Sequence, residues 1–290
     1  MAIWNLGSIN ADMVYAMPHL PVGGETLAAH ALERFLGGKG ANMSVAAARA
    51  GSHVCHIGAV GPDGAWAKTR LMEYGVDTRF IETLDAPTGH AVIAVDQSGE
   101  NLIILYPGAN REIAENALKA ALTQAEAGDI LIFQNETNLQ VEAAKLGRDL
   151  GLRICYAAAP FDVAAVNGVL PYLDFLILNE IEAEQLEEAT GKKPQDLGVQ
   201  DVIVTLGGEG ARHFDGRTGA VHHVPALPVT PVDTTGAGDT FTGYVLAGLD
   251  RGMPMKQAMA QATRAAALMV TRVGTADVIP DLKEVQDTIL

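Results

Sequence analysis

The stretch that decides the fold is Asp233-Thr-Thr-Gly-Ala-Gly-Asp-Thr-Phe241, which runs directly into the helical stretch Phe241 to Leu249. The small residues Gly236, Ala237 and Gly238 at a helix start leave backbone N–H groups unpaired at the positive end of the helix dipole. With no bulky side chain in the way, an anion can come close to those groups. Asp239 then stands in the first helical turn beside the anion position. A carboxylate there is electrostatically awkward, which points to a working group such as a base for an attacking hydroxyl. A second reading stays open at this stage: Asp239 as a first-turn acid that favours the dipole, with the glycines serving helix packing.

Outward from this segment, short apolar runs alternate with longer helical patterns. Ile3 to Leu6, Val54 to Ile57, Asp129 to Phe133, Arg153 to Tyr156, Phe175 to Leu178 and Val202 to Thr205 read as strands buried on both faces. Ala41 to Ala50, Ala65 to Tyr74, Asn138 to Leu150 and Glu180 to Ala189 read as helices between them. Such alternation predicts βαβ units, a mostly parallel central sheet and helices on both of its faces. Two places break the rhythm. His90 to Val95 and Leu102 to Tyr106, joined by Asp96 to Glu100, predict a hairpin. Ala11 to Phe35 is strand-like but broken by Pro18, Pro21, Gly23 and Gly24. Residues 11–35 and 88–107 are therefore expected to form a small projecting β-sheet lid on one α/β domain spanning 1–290. A projecting apolar sheet needs a cover, either a ligand site or a second subunit.

The chain has 290 residues, 48% of them hydrophobic, and a formal net charge of −15. That charge repels phosphate backbones and anionic lipid, so neither nucleic acid nor a membrane is an expected partner. No segment reaches the ~18 to 20 apolar residues of a membrane helix. The first residues, MAIWNLGSINAD, do not read as a signal peptide. Cys55 and Cys155 read as small buried hydrophobes, and the expected location is the cytoplasm.

A second glycine cluster, Gly37-Gly-Lys-Gly-Ala-Asn42, also precedes a helical stretch. It lacks the Walker A spacing, and no dinucleotide fingerprint follows the first strand, which removes a nicotinamide-dependent dehydrogenase from consideration. A third segment, Gly7-Ser-Ile-Asn-Ala-Asp12, closes the first strand. Asn10 and Asp12 are two apart and share one side of an extended segment, which suits a polyhydroxylated ligand or, equally, an Asx turn.

Together these segments resemble the ribokinase-like carbohydrate kinases, the PfkB family. The resemblance runs through GSINAD, GGKGAN, GAN at Gly108–Asn110, NEIE at Asn179–Glu182, TLGGEG at Thr205–Gly210, DTTGAGDTF and VTRVGT at Val270–Thr275. It implies the three-layer ribokinase-like α/β fold and transfer of the ATP γ-phosphate to a sugar hydroxyl, D-ribose O5 being the first expectation. Asp239 would be the base, and Gly236, Ala237 and Gly238 the anion hole. Asn10, Asp12, Gly38, Lys39, Asn42 and Glu136 would hold the sugar. Asn179, Thr205, Gly207, Gly210 and Gly238 would face the nucleotide, and Glu182 would act on Mg²⁺ through water. Asp233 and Thr235, with the main chain near Met269, Arg272 and Gly274, would hold a monovalent cation, K⁺ being the expected one. A homodimer formed through the lid is expected.

The segment KKPQDLGVQ between Gly191 and Asp201 is shorter than such kinases usually carry there. Other acceptors on the same fold remain open, namely a nucleoside, 2-deoxyribose, fructose or 2-keto-3-deoxygluconate. So does a non-catalytic sugar-binding regulator, although an intact Asp239 argues against it. His53, His56 and Cys55 show no third or fourth metal ligand at believable spacing. Arg111, just after Gly-Ala-Asn, reads as a helix-start surface charge or, as the second choice, as a substrate-facing group.

Overall fold

The computed structural model describes residues 1–288. In chain order the first strands are β1 (Ile3–Leu6), β2 (Asn10–Ala16), β3 (Ala31–Gly37), β4 (Val54–Val60) and β5 (Ile81–Thr83). The hairpin strands β6 (Gly89–Val95) and β7 (Asn101–Tyr106) follow, then β8 (Ile130–Phe133), β9 (Arg153–Ala157) and β10 (Phe175–Asn179). The last three are β11 (Asp201–Thr205), β12 (Ala211–Asp215) and β13 (Val221–Val224). Helices α1 (Lys39–Arg49), α2 (Ala65–Glu73), α3 (Glu115–Leu122), α4 (Gln140–Asp149) and α5 (Val163–Val169) alternate with them. Helices α6 (Glu180–Thr190), α7 (Ala237–Asp250), α8 (Met255–Met269) and α9 (Leu282–Asp287) complete the set.

Nine strands form the main sheet in the order β13-β12-β11-β10-β9-β8-β1-β4-β5. From β11 to β5 every pairing is parallel. The buried strands divide their side chains between two cores. Ile130 and Ile132 face the core shared with α1, α7 and α8, while Leu131 and Phe133 face the one shared with α3 to α6. That two-sided burial is why these strands read as unbroken apolar runs instead of alternating ones. At one edge β12 and β13 add antiparallel, a pair the sequence pattern did not announce because both are short and polar.

The remaining four strands make the small sheet, in the order β3-β2-β6-β7. Its two outer pairings are antiparallel and the central one, β2 with β6, is parallel. The sheet is tied to the body at β3, where the Arg34 guanidinium lies 4.2 Å from the centroid of the Trp66 ring. Thr275 Oγ1 also donates to the Leu36 carbonyl at 2.7 Å. None of the described helices is long and apolar enough to cross a membrane.

Helix α1 starts two residues earlier than the expected Ala41. Gly38 takes φ +93° as the N-cap, so Lys39 and Gly40 already belong to the helix. This helix packs against α7 through small residues. A Cβ on Gly243 would sit 2.5 Å from Ala46 Cβ and 2.7 Å from the Met43 carbonyl oxygen. Replacing Gly243 by Val is therefore expected to lower stability by about 1–3 kcal/mol, the usual penalty for overpacking a tight core. Denaturant unfolding of the purified variant is the measurement; an unchanged midpoint would show that the two helices can part freely.

Candidate active site

Both α1 and α7 direct their N-termini at one cavity of about 210 Å³, lined by Lys39 and Met43 from one and Gly238, Asp239 and Thr242 from the other. Gly236 is the N-cap of α7 at φ +75°, a conformation that glycine reaches without strain. A Cβ placed on Gly238 would meet nothing within 4 Å, so the approach to its amide is open. One expected donor is otherwise engaged: the Ala237 N–H donates to the Thr234 carbonyl at 3.2 Å. Of the expected trio Gly236, Ala237 and Gly238, Ala237 is thus the one whose amide has a partner within the chain. The amides of Gly236, Gly238 and Asp239 have no acceptor among the described residues. Asp239 thus offers a main-chain donor as well as a carboxylate, which the residue pattern alone did not suggest.

The Asp239 side chain is buried, and Asn42 Nδ2 donates to its Oδ2 at 2.9 Å. Burial is the main cause that raises its pKa, to about 6; Glu136 pushes the same way, while the Lys39 charge and the Asn42 hydrogen bond oppose it. Asp12 is pushed up to about 7 by burial and by the nearby charges of Glu136 and Asp239. The Lys39 ammonium is held above its ordinary range chiefly by Asp239, with Glu136 and Glu182 adding to it against burial. Four acids, Asp12, Glu136, Glu182 and Asp239, and one cation therefore share the site, and Asp12, Asp239 and Lys39 hold their protons more tightly there than in water.

Glu136 is fixed from two sides. Ser8 Oγ donates to its Oε2 at 2.5 Å and the Lys39 N–H donates to the same oxygen at 3.1 Å. Asn110 Oδ1 accepts from the Ile9 N–H, and Asn110 Nδ2 donates to Asn10 Oδ1 at 2.8 Å. The Asp12 carboxylate fits only because Gly37 lacks a side chain, since a Cβ there would come within 1.9 Å of it. Asn10, Glu136, Asn110 and Arg111 line a second space of about 60 Å³, which Leu105 of β7 helps to enclose. Sequence reasoning gave Ser8 and Asn110 no role. Both lay inside quoted motifs, but their partners are about 100 or more positions away in the chain. Of the two readings of Arg111, the plain surface charge does not hold, since the residue lines this second space. Its guanidinium donates to the carbonyls of Thr137 and Asn135, at 2.8 Å each, and so clamps the loop that carries Glu136.

On the opposite side of the larger cavity stand Asn179, Glu182 and Thr205. Asn179 and Glu182 form a reciprocal capping box at the start of α6, with 2.8 Å in both directions. They serve the helix as well as lining the cavity. Burial raises the pKa of Glu182 despite the Asn179 N–H and the Lys39 charge. Gly207 and Gly210 lie beyond β11 and do not line the cavity; Gly210 packs against the main chain of Val224 to Ala226. The short segment before Asp201 holds one turn of 3₁₀ helix, Pro194–Asp196.

Asp233 gathers the loops beside α7: its Oδ1 accepts from the Thr235 N–H at 2.9 Å and its Oδ2 from the Gly274 N–H at 3.1 Å. Arg272 turns its side chain away to Glu284, so only its main chain faces this loop. The Met269 side chain packs beside Gly236, and Thr240 Oγ1 donates to its sulfur. Elsewhere the fold supplies the third ligand that His53 and Cys55 lacked in sequence, Asp77, with the three groups within 4.8 Å of one another. Arg79 already binds both oxygens of that carboxylate, and burial pushes the Cys55 thiol up to about 12. Thiolate and free carboxylate are thus both withheld from a metal.

The model of the pfkB family carbohydrate kinases matches residues 3–282. The chain belongs to that family. A curated relative, the ribokinase of Haemophilus influenzae, is 36% identical over 96% of this chain and 95% of that protein. The crystal structure of ribokinase from Thermotoga maritima superposes with a TM-score of 0.90 at 31% identity, covering 99% of this chain and 98% of the other. The Arabidopsis thaliana ribokinase structure complexed with ribose and ATP gives 0.87 at 29% identity, over 99% and 98%. This pfkB-family chain therefore has the ribokinase-like α/β fold, with a large mostly parallel sheet and a small second one. The carbohydrate kinases to which it belongs are phosphotransferases with an alcohol group as acceptor.

The raised carboxyls have a consequence for stability. Asp12 and Asp239 bind protons more tightly folded than unfolded, so their contribution is fully present below about pH 3.8 and lost as the pH rises through about 6 and 7. At pH 8 Asp239→Asn is expected to melt about 2 °C or more above the parent, with the gap closing at pH 4. Thermal melts at the two pH values test this; a variant that melts lower at pH 8 would show that the ionised carboxylate is well solvated.

Proposed function

We propose that the chain transfers the γ-phosphate of ATP to the 5-hydroxyl of D-ribose. The observation that carries this reading is the pairing of Asp239 with the free amides at the start of α7, on the same helical turn. The carboxylate takes the proton of the attacking hydroxyl. The amides of Gly236, Gly238 and Asp239 stabilise the charge that develops on the phosphoryl oxygens. Asn42 orients the carboxylate through its 2.9 Å hydrogen bond. Lys39 faces Asp239, Glu136 and Glu182 and supplies positive charge along the transfer path. Asn10, Asp12, Gly38, Lys39, Asn42 and Glu136 hold the sugar, whose vicinal hydroxyls both donate and accept. Asn10, Asp12, the Gly37–Asn42 segment and Glu136 together favour a free pentose.

The nucleotide lies on the side of Asn179 and Thr205, with the Gly207 to Gly210 turn at its edge. Mg²⁺, when bound, would supply positive charge to offset that of the phosphates, which a chain of net charge −15 lacks. Glu182 and Asn179 suit it as water-mediated holders, since both line the cavity while bonded to each other. Asp233, Thr235 and the main chain near Met269, Arg272 and Gly274 offer a carboxylate and carbonyl oxygens, the donor chemistry of a hard monovalent cation such as K⁺. We place the protein in the cytoplasm, where ATP is supplied and the two buried thiols stay reduced.

The small sheet acts as a lid over the sugar and joins two copies of the chain. Strand β7 is its outer edge, and Leu102, Ile103, Ile104, Leu105 and Tyr106 are all exposed there. An apolar edge of that length needs a partner, and a second copy of the same strand supplies one.

Two measurements test the reading. Assayed with ATP and Mg²⁺ against a panel of pentoses, hexoses and nucleosides, the protein should phosphorylate D-ribose best. Asp239→Asn should then lose about 10² or more in turnover while still binding ribose. Negligible turnover of ribose beside a good rate on a nucleoside would overturn the assignment. In sedimentation at micromolar concentration the parent should be a dimer and Ile104→Lys a monomer; a parent that sediments as a monomer would remove the shared lid.

A further inference from the structure

Behind the sugar-side loops lies a cluster of polar side chains that the proposed chemistry does not use. Asn5, Ser44, His56 and Gln134 come from β1, α1, β4 and the turn after β8, and each is at most 1% exposed. They surround the point where the chain leaving β1 crosses the first turn of α1, backbone against backbone. A Cβ on Gly7 would stand 2.5 Å from Gly40 Cα, and one on Gly40 would stand 2.3 Å from Gly7 Cα. At such a crossing no side chain separates the two segments; the Ala41 N–H donates to the Ser8 carbonyl at 2.9 Å and the Gly40 N–H to Ser8 Oγ at 3.2 Å, and the groups that hold the Gly7 and Gly40 carbonyls add to those bonds in setting the spacing.

The cluster holds both of them. His56 Nε2 lies 3.0 Å from the Gly7 carbonyl oxygen and can only donate to it, which leaves Nδ1 as an acceptor. Ser44 Oγ, 2.8 Å away, donates to that Nδ1. Asn5 Nδ2 donates to Ser44 Oγ and to the Gly40 carbonyl, at 2.8 Å each. Gln134 Nε2 donates to Asn5 Oδ1 at 3.0 Å. Every donor therefore points one way, from Gln134 through Asn5 and Ser44 to His56 and Gly7. Burial pushes the imidazole pKa down to about 4, consistent with a neutral ring. Beyond the crossing, both clamped segments run straight into the sugar side. Ser8 holds Glu136, Asn10 follows Ile9, and Lys39 and Asn42 flank Gly40 and Ala41.

We infer that His56 is a positioning residue for the sugar site: with Ser44 and Asn5 it fixes the Gly7–Gly40 crossing, and through it the spacing between Asn10 and Glu136 on one side and Lys39 and Asn42 on the other. The inference rests on the kinase reading above and adds to it a residue that touches neither sugar nor nucleotide. An apolar ring of similar size at position 56 would fill the space but leave the Gly7 carbonyl without its donor and the Ser44 O–H without its acceptor inside the core, where such groups are not tolerated without movement.

The test uses the full chain with ATP, Mg²⁺ and D-ribose. His56→Phe is expected to raise KM for ribose about tenfold, with kcat and KM for ATP changed less than about twofold. His56→Gln, whose Nε2 can still donate to Gly7, should stay within about threefold of the parent. Ser44→Ala should raise the same KM, and adding it to His56→Phe should cause no further loss, because the two act as one relay. Hydrogen exchange of the amides at 7–10 and 37–42 should quicken in His56→Phe, a readout that needs no turnover. A His56→Phe protein that is merely less stable, with parental KM for ribose and parental exchange at those amides, overturns the inference. Fully additive losses in the double variant also overturn it. Should His56→Phe not fold, an unchanged ribose KM in Ser44→Ala does the same. A parent that does not phosphorylate ribose overturns the kinase reading instead, and the exchange data then decide the role of His56.

Discussion

The contact between α1 and α7 is the constraint on which the site depends. Two helices that touch through Gly243, Ala46 and Met43 lie close enough for both N-termini to face one cavity. A bulkier residue at the contact would move one start away from the other. As they stand, Asn42 in the first turn of α1 reaches Asp239 in the first turn of α7, across 197 residues of sequence. Helix starts attract anions, and two converging on one space give an acidic protein a local place for phosphate.

That solution puts acids where they oppose folding. Asp239, Glu136 and Glu182 surround Lys39, Asp12 stands near Glu136 and Asp239, and burial raises Asp12 and Asp239 well above ordinary carboxyl values. A base near pH 6 is well placed to take a proton from an alcohol at neutral pH, because it is ionised yet still basic. The surrounding hydrogen bonds explain how the arrangement survives. Ser8 and the Lys39 amide hold Glu136, Asn110 holds Asn10, and the Arg111 guanidinium pins the Glu136 loop by its carbonyls. Each holds a binding group in place.

Much of the architecture was legible because the strands are buried on both faces. Ile130 to Phe133 and Phe175 to Leu178 are unbroken apolar runs for that reason, and the hairpin His90 to Tyr106 was marked by its glycine turn. Less legible were β12 and β13, whose half-polar, exposed residues carry no such signal, and the start of α1, where a positive φ at Gly38 brings Lys39 into the helix. Among the site residues, the motifs marked Asp239, Asn42, Lys39 and Asn10. They could not mark Ser8, Asn110 or Arg111 as holders of other groups, since a hydrogen bond between distant segments leaves no spacing to read.

The amino-acid order by itself determined the layers, the sheet that spans them and the glycine-rich turns at helix starts, because these follow from periodicity and from residues that only certain backbone conformations accept. Tertiary structure alone decided which polar groups meet. It diverted the Ala237 amide to Thr234 and supplied the Asp239 amide as a free donor. It also brought Asn5, Ser44, His56 and Gln134 together behind the Gly7–Gly40 crossing. The physical reason is range: conformational preference acts over a few neighbouring residues, whereas hydrogen bonding and desolvation act through space, between segments whose distance apart only the finished packing sets.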